Sequence, residues 1–244
     1  MSPDTLSLAG KTALVTGSGR ETGIGAGIAR ALARNGVAAA IHYVSKDSKA
    51  RAENVAADIS KEFGTKATVV QGGVESYDTA KDMVEQILKE LGVDHIDILV
   101  NVFGVIYMTQ AVVGVGRMPE GGRIVNVGSI ASKVLVPPPI YSTTKAAMDA
   151  LTTLWAGELG KSRGITVNTL APGPVPTDMS TAYLVAPDGS PTDLQRSMYA
   201  QTRAADRLGS VEDVADATLL LVSDKSRWIT AQYISVSGGI TGTT

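Results

Sequence analysis

Short apolar runs alternate with segments of helical period along this chain, and that alternation constrains the fold more than any other feature. Thr12–Thr16 (TALVT), Ala38–Tyr43, Ala67–Gln71, Ile96–Val100 (IDILV), Arg123–Val127 (RIVNV), Ile165–Leu170 and Tyr233–Val236 read as strands. Between them, Ile24–Arg34, Ser48–Phe63, Tyr77–Leu91, Phe103–Val113, Tyr141–Lys161 and Val211–Val222 read as helices. Gly36, Gly64 and Gly92 stop three of these helices, and Ser210 with Asp213 is a carboxylate form of the capping box at the start of the last. Strands that are apolar throughout are covered on both sides. The pattern therefore predicts an α/β fold, a doubly wound parallel sheet of about seven strands with helices on both faces. No repeat or linker interrupts it, so residues 1–244 read as a single domain. The longest irregular stretch, from Pro172 to about Gly209, carries Pro174, Pro176, Pro187 and Pro191, and reads as a lid over residues 178–209.

Composition narrows the chemistry. The net charge of −2 provides no basic excess for nucleic acid. Cysteine is absent, which removes disulfides, thiolate metal sites and a cysteine nucleophile. Two histidines, His42 and His95, with no His-x-x-x-His pair, support neither a metal site nor a serine–histidine triad. The opening MSPDTLSLAGK lacks the basic and long apolar regions of a secretory leader, and runs such as Ala217–Val222 are too short to cross a bilayer. A cytoplasmic protein without membrane or nucleic-acid partners is the expectation.

Two clusters carry chemistry. Thr16-Gly17-Ser18-Gly19-Arg20-Glu21-Thr22-Gly23-Ile24-Gly25 joins the first strand to the first helix. Glycines there allow a tight turn and close approach to a pyrophosphate, which free N–H groups at the helix start can hold. An ordinary turn can have the same composition; the position at the first strand–helix junction favours phosphate binding.

The second cluster is Tyr141-x-x-x-Lys145, preceded by Gly128-Ser129 at the end of the fifth strand. Residues i and i+4 share a helix face, and an adjacent ammonium helps a phenol act as an acid or base. Spacing alone is weak: 7 Tyr and 11 Lys in 244 residues give roughly 0.3 such pairs by chance. A second pair, Tyr77–Lys81, has no serine-bearing strand upstream and reads as a solvated helix face. Ser129 and Tyr141 instead fall near the carboxyl edge of the sheet, where open α/β folds bind ligands.

With DILVN at Asp97–Asn101, IVNVGS at Ile124–Ser129, YSTTK at Tyr141–Lys145, VNTLAPGPVPT at Val167–Thr177 and SGG at Ser237–Gly239, the chain resembles the short-chain dehydrogenase/reductase family. The wording is most similar to its ketoreductase branch, the 3-oxoacyl-carrier-protein reductases and fungal naphthol reductases. The resemblance implies a Rossmann-like domain and reduction of a ketone or aldehyde by a nicotinamide cofactor. Tyr141 would donate the proton, Ser129 orient the carbonyl oxygen, and Lys145 bind the ribose and assist Tyr141, with Asn101 a fourth catalytic candidate. Cofactor contacts would come from Gly17, Ser18, Gly19, Arg20, Gly23, Ile24, Gly25, Tyr43, Ser45, Gly73, Val74, Asn101, Tyr141, Lys145, Pro172, Gly173, Val175 and Thr177; no metal is implied.

The second strand continues Tyr43-Val44-Ser45-Lys46 with no acid before Asp47, and Arg20, Ser45 and Lys46 could meet a 2′-phosphate, so NADPH is favoured over NADH. The glycine-rich turn places five residues between Gly17 and Gly23 where the family has three, and Gly73 stands where the family often has an aspartate near adenine. The largest departure is at Asn101, where DILVN passes directly into VFGVIYMTQAV. About two dozen family positions are missing there, although the 22 residues from Asn101 to Gly122 still allow a parallel crossover. Asn101 can match either of two family asparagines, not both. The missing part normally walls the cofactor cleft and packs on another subunit. A catalytically silent scaffold is therefore a competing reading, and an NAD-dependent alcohol dehydrogenase a third. Tyr183, Leu184, Met198 and Tyr199 in the lid suggest a moderately bulky apolar carbonyl substrate, though they equally suit packing of the lid onto the core. The family implies a homodimer or homotetramer.

Overall fold

Each strand read from the sequence forms, and together they build one parallel sheet in the order β3-β2-β1-β4-β5-β6-β7. The computed structural model describes residues 6–102, 104–134, 139–178 and 180–242; Phe103, Pro137, Pro138 and Met179 lie outside these. The strands are β1 (Thr12–Val15), β2 (Ala38–Tyr43), β3 (Ala67–Gln71), β4 (Ile98–Asn101), β5 (Arg123–Val127), β6 (Thr166–Pro172) and β7 (Tyr233–Val236). The helices are α1 (Ile24–Arg34), α2 (Lys49–Phe63), α3 (Tyr77–Leu91), α4 (Val105–Val113), α5 (Pro139–Arg163), α6 (Thr181–Leu184), α7 (Asp193–Tyr199) and α8 (Val211–Val222).

Alternate strand residues feed two cores. Ala13, Val15, Ile41, Ile98, Val100 and Val125 face α1, α2 and α8, while Leu14, Ala40, Leu99, Ile124 and Val167 face α3, α4 and α5. Full burial of an Ile or Leu side chain contributes about 1.5–3 kcal/mol, so Ile28 and Leu32 alone anchor α1 firmly. The chain winds outward from β1 to β3, then returns through α3 to β4 on the other side of β1. The resulting switch point between β1 and β4 opens a crevice beyond the strand ends.

Differences from the sequence reading lie at element ends. β4 starts at Ile98 because the Ile96 N–H turns to the Gly116 carbonyl. β6 runs on to Pro172, which pairs in register with Val236. α5 begins at Pro139, in the stretch read as loop; a proline fits a first helical turn, where its missing N–H has no partner to lose. The stretch between β6 and α8 contains α6 and α7, and the Thr192 hydroxyl caps α7 by accepting from the Gln195 N–H at 3.2 Å. The box at Ser210 and Asp213 forms in full. No helix among the described residues is long and apolar enough to cross a membrane.

Candidate active site

The glycine-rich turn leaves β1 at the switch point and is held by β2. The Gly17 N–H donates to Nδ1 of His42 at 3.0 Å, and Nε2 of the same ring meets the Gly72 carbonyl at 2.9 Å. Nδ1 therefore accepts and Nε2 carries the proton, in a neutral ring whose pKa burial pushes down. Ser18 is fully buried. Its hydroxyl donates to the Val15 carbonyl at 2.6 Å and accepts from the His42 N–H at 3.0 Å, so this side chain belongs to the fold and only its backbone faces the turn. Gly25 lies against the turn itself: a Cβ there would stand 2.7 Å from the Gly17 carbonyl oxygen. Gly23 caps α1 without a side chain, and the first turn of α1 holds no acidic residue, so its N–H groups remain available to an anion.

Arg20, Ser45 and Lys46 are exposed around the ends of β1 and β2, with Tyr43 buried behind them. Beyond β3, the Glu75 carboxylate folds over Gly73 into the room a side chain would take there. Val74 packs against Gly104, whose φ of 72° and lack of a Cβ let α4 begin there. That packing, with the Val102 N–H donating to Thr16 Oγ1 at 2.9 Å, closes the short β4–α4 connection. On the far side, Gly173 is tied to Val236 and Gly209 to Pro174, and Val175 is buried. The next residue after Thr177, Asp178, accepts from the Thr22 hydroxyl and pairs with Arg51 of α2. A strap therefore reaches from the end of β6 across the sheet edge to the glycine-rich turn.

Lys145 is buried in the second turn of α5. Its Nζ donates to the Val127 carbonyl at 2.8 Å and sits 5.8 Å from the centre of the Tyr141 ring. Burial pulls its pKa down to about 8, against the opposing pull of Asp149. Tyr141 itself is 45 % exposed, so a ligand in the crevice can reach it. Ser129, at the end of β5, caps a short 3-10 turn (Ile130–Ser132), its Oγ accepting from the Ala131 N–H at 3.1 Å. Lys81, by contrast, pairs with Glu85 along α3.

Asn101 is fully buried at the end of β4. Its Nδ2 donates to Thr109 of α4 at 3.2 Å and to Oδ1 of Asn126, its register partner on β5, at 3.1 Å. Asn126 in turn donates to Thr152 of α5, which meets Thr169 of β6. This polar ladder runs beneath α4 and α5. Of these residues only Asn101 stood among the candidates read from the sequence; the one signal for His42 was a histidine among the apolar residues of β2.

The short chain dehydrogenase family profile matches residues 11–102, and that described as enoyl-(acyl carrier protein) reductase matches 97–241. The chain belongs to the short-chain dehydrogenase/reductase family. The two matches meet at the β4–α4 connection. An uncharacterized oxidoreductase of Methylorubrum extorquens is 36 % identical, covering 96 % of this chain and 98 % of the relative. That alignment runs over 259 positions, so about 25 of them (259 less 96 % of 244) have no counterpart in this chain. A 3-oxoacyl-[acyl-carrier-protein] reductase of Staphylococcus epidermidis is 34 % identical, covering 94 % and 98 %. Among solved structures, a blue fluorescent protein from a metagenomic library in complex with NADPH superposes with a TM-score of 0.84 at 29 % identity, covering 97 % of this chain and all of that one.

Proposed function

We propose that this oxidoreductase reduces a ketone or aldehyde with NADPH, Tyr141 giving the proton to the carbonyl oxygen. The observation that carries the reading is the desolvated Lys145 ammonium set against the ring of an accessible tyrosine, next to Ser129 at the sheet edge. Such an ammonium stabilises the phenolate that Tyr141 becomes on losing its proton. Lys145 has three N–H donors and the Val127 carbonyl takes one, leaving two for ribose and phenol. The Ser129 hydroxyl can donate to the substrate oxygen and orient it.

The residues present fit a dinucleotide. The uncapped α1 N-terminus behind Gly23, with Ile24 and Gly25 in its first turn, suits the pyrophosphate, while Gly17 and Gly19 shape the turn before it by packing on His42 and Tyr43. Arg20, Ser45 and Lys46, without a carboxylate before Asp47, favour the 2′-phosphate of NADPH over the free hydroxyl of NADH. Pro172, Gly173, Val175 and Thr177 would border the nicotinamide, which supplies the hydride. Asn101 supports the edge through its Nδ2, which donates to Thr109 and Asn126, while its buried Oδ1 has no partner among the described residues and is the atom that a ligand N–H or O–H would meet. Residues 178–209 would act as the lid in a single domain, with Tyr183, Leu184, Met198 and Tyr199 favouring an apolar carbonyl compound. NADPH protection of Arg196 and Arg203 from trypsin tests the lid.

The deciding experiment titrates the protein with NADPH and with NADH by nicotinamide fluorescence, then screens carbonyl substrates for wild type and Tyr141→Phe. Tighter binding of NADPH and loss of at least about a hundredfold in turnover by the variant, with binding kept, are expected. A Tyr141→Phe protein as active as wild type would sink the reading.

A further inference from the structure

Behind the catalytic face lies a charged cluster that the reaction described so far does not use. Asp149 follows Lys145 by one turn of α5, with its side chain 12 % exposed. Its Oδ2 accepts from the Ser132 hydroxyl at 2.7 Å and lies 3.5 Å from Nζ of Lys133. Its Oδ1 is buried with no hydrogen-bond partner among the described residues and faces Gly128, where a Cβ would stand 3.5 Å away. Ser132 ends the 3-10 turn that Ser129 begins, and its hydroxyl also lies 3.0 Å from the Ser129 carbonyl. The Tyr233 hydroxyl of β7 donates to that same carbonyl at 3.3 Å, and Lys133 stacks over the Tyr233 ring at 5.0 Å.

We propose that Asp149 is a positioning residue, which ties the turn carrying Ser129 to the helix carrying Tyr141 and Lys145 and serves as counter-charge to the buried Lys145 ammonium. This rests on the reductase reading above. The carboxylate pairs with Lys133 of the turn at 3.5 Å and stands one helical turn along α5 from Lys145, with the Tyr233 ring beneath Lys133. A carboxylate this buried is held by its partners rather than by water, so it fixes their spacing. Its charge raises the Lys145 pKa against desolvation, keeping the ammonium form available near neutrality.

The test compares Asp149→Asn with Ser132→Ala in the full-length protein. Lys145 is titrated by ε-carbon NMR of labelled lysine, without cofactor or substrate, its signal assigned through Lys145→Arg. Asp149→Asn is expected to lower the Lys145 midpoint by about one pH unit and to move the alkaline limb of kcat/KM with it. It should reduce kcat about tenfold while NADPH affinity stays within about twofold. Ser132→Ala is expected to reduce kcat about threefold or more and leave the Lys145 midpoint in place. An Asp149→Asn protein with an unmoved midpoint and kcat near wild type overturns the proposal. Should that variant fail to fold, a Ser132→Ala enzyme with wild-type kcat overturns it instead. A wild-type protein that reduces no carbonyl would end the reductase reading, while the Lys145 titration would still decide whether Asp149 acts on it.

Discussion

A lysine in water stays charged to pH 10, but Lys145 gives up its proton near 8 because burial removes the solvation of its ammonium. The proposed reduction needs that ammonium beside the phenol. With the folded pKa lowered, the charged form dominates below about pH 8 and is lost above it. The rate of carbonyl reduction should accordingly be level from neutrality to about pH 8 and fall at higher pH. A pH series of kcat/KM at saturating NADPH checks this; a flat profile to pH 10 would remove Lys145 from the protonation chemistry. The nearness of Tyr141 and Lys145 was legible because i and i+4 share a helix face, and Ser129 on the strand upstream set the pair apart from Tyr77–Lys81. Asn101 was legible only as an ambiguity. Its role depends on what lies on β5 and α4, and spacing along one strand does not reveal a neighbour across the sheet.

At the scale of elements, the alternation of strands and helices specified the order and type of nearly every one, since each period is set by local geometry. The ends shifted where partners from elsewhere took over, as when Gly116 drew the Ile96 N–H out of β4. What the pattern could not show is how one element grips the next, and His42 is the case in point. It stands in β2, yet it accepts from Gly17 of the glycine-rich turn and binds Gly72 beyond β3. His42→Ala would leave a half-buried N–H and carbonyl unpaired and a cavity in place of the buried ring, and should destabilise the fold by about 2–4 kcal/mol in urea unfolding. Acid should act in the same direction. The folded pKa lies below the ordinary 6.5, so the contribution of His42 is whole above pH 6.5 and is lost as pH falls through the lowered value. Unfolding midpoints measured between pH 7.5 and 5 should decline in the wild type and less so in His42→Ala.

For the whole molecule, α5 carries two strongly exposed aliphatic side chains. Ile140 and Leu154 of α5 are 79 % and 69 % exposed, and Ile106 of α4 is exposed too. A second copy of the chain covering this face would give the dimer expected of the family. Leu154→Glu should shift the mass seen by light scattering toward the monomer, and a wild-type monomer would dismiss the expectation. The short passage from β4 to α4 has a different consequence. Its strand end is fixed by Thr16 and its helix start by Val74 resting on Gly104, so both sides of the joint are secured independently of whatever lies between them. Such a joint is a natural splice point. A loop-and-helix cassette from a longer relative should graft between Val102 and Gly104 with both anchors kept, so that the sheet beneath keeps its register.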